Sequence, residues 1–190
     1  MPLERHIARL NTLIDTFEAG DGELWRTLEH LSNTPHRMLV SSTPLVDVSE
    51  ATSIAPETLI DTILVPGGVG LTTRRRDFTM KGQKWRFLKA FDQRNELSFD
   101  TVPNRFVAHF LRALLTELRH MLRAFHQLGA PADVHEDARW LRRKLAAALE
   151  KNEAIRDAEP LQFVPHDDLV LNHDPYYHRI LLAFADLLGA

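Results

Sequence analysis

Between Phe99 and Phe125 the chain reads FDTVPNRFVAHFLRALLTELRHMLRAF. Phe106, Phe110, Ala113, Leu114, Leu118, Met121, Leu122 and Phe125 recur at helical spacing, while Arg105, Arg112, Glu117, Arg119 and Arg123 fall mainly off that stripe. Such spacing gathers the apolar side chains on one side of an α-helix. A stripe this long must be covered by other elements, so the segment predicts a helical module with its own core. Asp100 or Thr101 stands where an N-cap accepts from free amides, and Pro103 suits the first turn. Gly129-Ala130-Pro131 ends the helix.

The remaining elements follow from the same periodicities. Leu3, Ile7, Leu10, Ile14 and Phe17 mark a first helix that stops at Gly20-Asp21-Gly22. Leu24, Trp25, Leu28 and Leu31 mark a second, and the two read as a helical hairpin. Residues 36–50, rich in Val, Ser and Thr, predict one or two short strands broken or pushed to an edge by Pro44. Pro56 opens a short helix that stops at Pro66-Gly67-Gly68-Val69-Gly70. Residues 71–98 are the least regular. A further long helix is predicted from Val134 to Glu150, then a loop over 158–173, then a last helix with Asp174 as cap and Pro175 in its first turn. The expected fold class is therefore mainly α: a helical domain with long central helices and a small β or irregular element in the N-terminal third. The expected organisation is a hairpin plus short strands over 1–70, a basic linking segment over 71–98, and a helical core over 99–190, the first and last forming one compact unit.

Composition removes several functional classes. With 190 residues, 44% hydrophobic and 26% charged, the chain suits one globular domain or one with a small appendage. A formal net charge of −3 gives no global attraction to nucleic acid or membrane. The absence of cysteine removes disulfides, thiol nucleophiles and Cys-based zinc sites, and it suits a reducing compartment. The N-terminus lacks the apolar stretch of a signal peptide, and no apolar run approaches the roughly 20 residues that span a bilayer. A soluble, cytoplasmic protein with no membrane partner is expected.

Tests for catalysis are mostly negative. There is no Walker-type phosphate loop, no His-Glu-x-x-His and no Gly-x-Ser-x-Gly elbow. Gly67-Gly68-Val69-Gly70 lacks the lysine and the spacing of a phosphate cradle and reads as a plain loop. Restriction-type nucleases pair two carboxylates with a lysine to hold Mg2+ and activate water, but no Asp or Glu here is followed two residues later by Lys. The ten histidines are scattered. Their densest group, His166-Asp167-Asp168 with His173-Asp174, suits turns and caps better than a metal site. A small metal-dependent enzyme using that His166–His173 loop is an alternative, but no catalytic residue, metal or cofactor is assigned.

The strongest candidate contact surface is basic. Arg74, Arg75, Arg76, Lys81, Lys84, Arg86, Lys89 and Arg94 face only Asp77, Asp92 and Glu96 over 71–98, an excess of five positive charges. Phe78, Trp85, Phe87 and Phe91 are interleaved. Cations that neutralise phosphates and rings that stack on bases together suit single-stranded nucleic acid. Arg74, Arg75, Arg76, Lys81, Lys84, Trp85 and Arg86 are therefore the candidates for nucleic-acid or protein contact. A solvated charged face over core aromatics is the competing reading. Arg139, Arg142, Arg143 and Lys144 read as the wet face of their helix.

Ser98-Phe99-Asp100-Thr101-Val102-Pro103-Asn104-Arg105-Phe106-Val107 is the most distinctive string. Arg105 can reach back to Asp100, tying the incoming loop to the helix; the alternative is that Asn104 or Arg105 meets a partner. The string resembles the Asp-Thr-x-x-Asn-Arg-Phe-Val signature of a conserved helical domain that precedes PD-(D/E)XK nuclease domains in McrC-like restriction proteins. Asp174-Pro175-Tyr176-Tyr177-His178-Arg179-Ile180-Leu181 resembles the helix that closes such domains. The resemblance carries over to Asp100, Thr101, Asn104, Arg105 and Phe106, and it departs at Pro103, where the family often has Glu. It implies a non-catalytic adaptor or stalk in restriction or antiviral defence, linking a nuclease to an AAA+ NTPase motor or to nucleic acid. With the nuclease expected after Ala190, the chain would be either an excised domain or a stand-alone member serving a separate nuclease. A stand-alone nucleic-acid-binding module is the other alternative.

Overall fold

The computed structural model describes residues 3–74 and 76–189. The chain is mainly α with a smaller β element, and it divides into two units. One comprises Met1–Met38 and Phe99–Ala190; the other, Leu39–Ser98, is inserted between them. The chain thus leaves the first unit at 38 and returns at 99, and the boundary drawn at 70 lies inside the inserted unit.

The helical unit contains α1 (Leu3–Asn33), α3 (Val102–Leu128), α4 (Ala132–Glu150), α5 (Glu153–Arg156), α6 (Leu169–His173) and α7 (Pro175–Leu188). Helix α1 is broken at Gly20-Asp21-Gly22, where the backbone turns left-handed. Phe17 and Trp25 pack across the break with ring centroids 4.5 Å apart. Helix α3 is the axis of the unit, packed on α4, α1 and α7. Its stripe of Phe106, Phe110, Leu114, Leu118, Met121 and Phe125 is buried. It meets Leu10, Leu13 and Leu28 of α1, Leu141 and Leu145 of α4, and Ile180 of α7 in one apolar cluster. Burying each such side chain stabilises the fold by about 1.5–3 kcal/mol. The 158–173 stretch is not all loop: α6 forms there, capped by Asp168.

The inserted unit holds β1 (Met38–Ser42), whose first residue belongs to the helical unit, β2 (Leu45–Asp47), α2 (Leu59–Leu64), β3 (Val69–Leu71), β4 (Phe78–Met80), β5 (Gln83–Phe87), β6 (Lys89–Phe91) and β7 (Arg94–Ser98). A 3-10 turn over Pro56–Thr58 opens α2. The segment 71–98 is therefore not an irregular linker. Its short strands escape the period-two test because several are only three residues long. They form three small sheets: β1 with β7, β2 antiparallel to β6, and β3–β5–β4, antiparallel throughout.

Two glycines fix local geometry. Lys81 and Gly82 join β4 to β5 with φ of 51° and 75° between the paired Met80 and Gln83. Positive φ at both central positions matches a type I′ hairpin, and Gly takes the second at little cost. Gly68 leaves no room for a side chain, since a Cβ there would lie 2.0 Å from the Thr62 carbonyl oxygen. Its own N–H donates to Val65, and its carbonyl accepts from Leu88 and Lys89. The glycine run thus closes α2 onto the sheet, with the Gly68 amide already engaged. Among the described residues, no helix is long and apolar enough to cross a membrane.

Candidate functional site

The first turn of α3 concentrates the sequence-predicted motif. Thr101 occupies the N-cap position with extended backbone, but its side chain makes no capping bond. Pro103 has no N–H to offer, so one of the amides a cap would serve is missing. The Thr101 hydroxyl is buried without a partner among the described residues. Asp100 grips Arg105 through two bonds, Nε to Oδ1 at 2.8 Å and Nη2 to Oδ2 at 2.5 Å. The Glu159 amide also donates to Asp100, at 3.3 Å, and Glu159 Oε2 stands 3.1 Å from Arg105. The Arg105 guanidinium holds the Asp100 carboxyl below its ordinary value, and the carboxylate raises Arg105 in turn. Phe106 is buried against Phe184.

Asn104 has the most constrained position. It is fully buried, and each of its polar atoms makes two hydrogen bonds. Nδ2 donates to the His36 carbonyl at 2.8 Å and to the Phe99 carbonyl at 2.7 Å. Oδ1 accepts from the His36 amide at 3.1 Å and from the Tyr177 hydroxyl at 2.6 Å. The His36 amide also donates to Tyr177 Oη at 2.8 Å. Burial pushes the Tyr177 hydroxyl up to about 12, so it stays a neutral donor. Asp174 orients Tyr177 by accepting from the Tyr176 and Tyr177 amides at the start of α7. Thus Asn104 ties together the last stretch of chain before the insertion, the first residue after it, and α7. This burial removes Asn104 from direct partner contact. Tyr177 and the His36 backbone are partners that periodicity could not supply. The Asp174-Pro175-Tyr176-Tyr177 string marked the right helix, but as an apolar stripe.

The basic candidates lie on the inserted unit. Arg75 falls outside the described residues. Thr79 pairs with Lys84, and Gly70 with Arg86, so Lys84 and Arg86 share one face of the three-stranded sheet. Phe78 pairs with Trp85, and Val69 with Phe87, on the opposite face. The Phe78 and Phe87 rings pack 5.2 Å apart there, and Trp85 Nε1 is buried. The pleat therefore separates the cations from the aromatics that the sequence interleaves. Lys81 stands apart at the hairpin turn. Arg76 donates to the Thr79 hydroxyl at 3.0 Å. A shallow groove of about 630 Å3 is lined by Thr72, Thr73, Arg74, Lys84 and Arg86, among others.

A polar centre missed by sequence reading lies next to the β2–β6 pair. Asp92 is buried and accepts from the Ser53 amide (2.7 Å), Arg94 Nε (2.8 Å), and the Thr52 amide and hydroxyl (3.0 and 3.1 Å). The Ser53 bond, then Arg94, brings its pKa down to about 2. Arg94 is two residues away, but Thr52 and Ser53 lie some forty residues upstream, so the local sequence does not announce the centre.

In the His166–His173 region, Asp168 caps α6 and Asp174 caps α7. Asn172 donates to the His166 and Asp168 carbonyls. Among the described residues, no three His, Asp or Glu side chains are grouped so as to hold a metal ion. On α4, Lys144 is not simply solvated: its ammonium lies 5.0 Å from the Trp25 ring centroid and 4.6 Å from that of Trp140.

Compared with known families, residues 7–184 match a domain of unknown function, DUF2357, and the chain belongs to that family. No curated protein and no solved structure matches the chain.

Proposed function

We propose that this DUF2357 protein is a non-catalytic adaptor of a McrC-like restriction or antiviral defence system, working in the cytoplasm. In this reading it links a PD-(D/E)XK nuclease, downstream or separate, to an AAA+ NTPase motor. The observation that carries the reading is the hydrogen bond between Asn104 and Tyr177. The two strings that resemble the McrC-like helical domain, 98–107 and 174–181, are distant in sequence and are joined by this buried hydrogen bond. Within the helical unit Asn104 joins the segment that leads out at His36, the segment that returns at Phe99, and α7, as a mount for an inserted unit needs. The absence of any Asp or Glu with Lys two residues later supports assigning cleavage elsewhere.

The test is co-purification of the full chain with an AAA+ protein encoded beside it. Stable association, strengthened by nucleotide, is the expected result. Neither a motor nor a nuclease encoded nearby, or no association with either, would remove the reading.

A further inference from the structure

We propose that the Lys84–Arg86 face of the β3–β5–β4 sheet grips the phosphate backbone of duplex DNA without reading its bases. Lys84 and Arg86 alternate with Trp85 and Phe87, so the pleat directs both cations to one side. Thr79 lies on that side, opposite Lys84, and Arg76 donates to its hydroxyl at 3.0 Å, bringing a third cation there. Arg74 lines the same groove.

No carboxylate lines the groove. Asp77, which precedes Phe78 and stands against Arg86 in the register, accepts from the Phe87 amide at 2.8 Å and is the one acid at the edge of this face. Among the described residues, Arg74, Lys84 and Arg86 form no ion pair, as Arg142 and Arg143 also do not, but here the cations gather on one sheet face. A cluster of unneutralised cations in a chain of net charge −3 is complementary to a polyanion.

The placement of the rings chooses between nucleic-acid forms. Stacking on single-stranded bases needs an open aromatic face beside the cations. Here the rings face the other way and Phe78 packs on Phe87. What remains suits phosphates presented on the outside of a duplex, a contact that positions without specifying sequence.

This inference deepens the adaptor reading by naming what the inserted unit holds. Its test uses neither motor nor nuclease, so its failure leaves the association test above untouched. The full chain is titrated into a short fluorescein-labelled duplex and its anisotropy followed between about 50 and 200 mM salt. Binding should weaken linearly on a log–log plot and be equal for two unrelated sequences. Lys84→Ala/Arg86→Ala should reduce the salt slope by about two and weaken low-salt binding at least about tenfold, with unchanged thermal melting. Arg142→Ala/Arg143→Ala on α4 should leave both unchanged. The proposal is overturned by no salt-dependent duplex binding, by an undiminished slope in the Lys84/Arg86 variant, by tighter binding to the single strand, or by binding to polyglutamate but not duplex.

Discussion

The two units of this chain are held together by different forces. In the helical unit, Phe17, Phe106, Phe110, Phe125 and a set of leucines are wholly buried in one cluster. In the inserted unit the fully buried groups are small or polar: Ala55, Ala90, Thr62 and Asp92. Its larger apolar side chains stay in contact with solvent, with Ile60 71% and Leu64 77% exposed on α2 and Leu71 62% exposed at the end of β3. One unit is stabilised by apolar burial. The other relies on short ladders, the Asp92 bonds and the tight approach of Gly68 to Thr62. Regions with few buried apolar contacts open at lower free energy, so the inserted unit should exchange its amides first.

The sharpest way to break this contrast is to truncate one large apolar residue in each unit. Phe110→Ala should cost about 3–5 kcal/mol in denaturant unfolding, because it empties a closed site beside Phe184. Leu64→Ala should change stability by no more than about 0.5 kcal/mol. Comparable losses at both sites would erase the distinction. Asn104→Ala comes next, at about 2–3 kcal/mol, since it takes the acceptor from the buried Tyr177 hydroxyl and the side-chain donor from the His36 carbonyl. Hydrogen exchange should then speed up near residues 36–38 and 99–101, and an unchanged pattern there would deny Asn104 its tying role.

Acid should act on the inserted unit through Asp92. Its folded pKa, about 2, lies below the ordinary Asp value of 3.8, so ionised Asp92 stabilises the fold above about 4. That contribution fades as pH falls through this range and is lost below about 2. Amide protection at 52–54 and 90–94 should therefore decline on acidification from pH 5 to 2. Asp92→Asn should start lower and show little of that decline; a wild-type profile in the variant would discard the mechanism. A smaller effect than that of Asn104→Ala belongs to Arg105→Ala. Its pair with Asp100 is partly solvent-exposed, so the loss should be about 0.5–1 kcal/mol and should shrink in high salt, read from urea midpoints. Asp100 is also shifted down, so this stabilisation too is present above the ordinary Asp pKa and lost on acidification.

Periodicity alone placed the long helices, because a helix that must bury one stripe repeats that need every three or four residues from Phe106 to Phe125. The break at Gly20–Gly22, the strand break at Pro44 and the Asp174 cap were legible for the same reason: each depends on residues adjacent in sequence. The absence of a carboxylate–lysine nuclease motif is likewise a property of the sequence. What depended on distant residues was not legible. Three-residue strands are too short to show alternation, so 71–98 read as irregular until pairing with partners set its register. Interleaved cations and rings in a linear string could not reveal that the pleat would part them. Asn104 reads as one polar residue in a first turn, and only the fold brings His36, Phe99 and Tyr177 around it. A buried amide must satisfy its donors and acceptor, and tertiary packing decided which chain segments would do so.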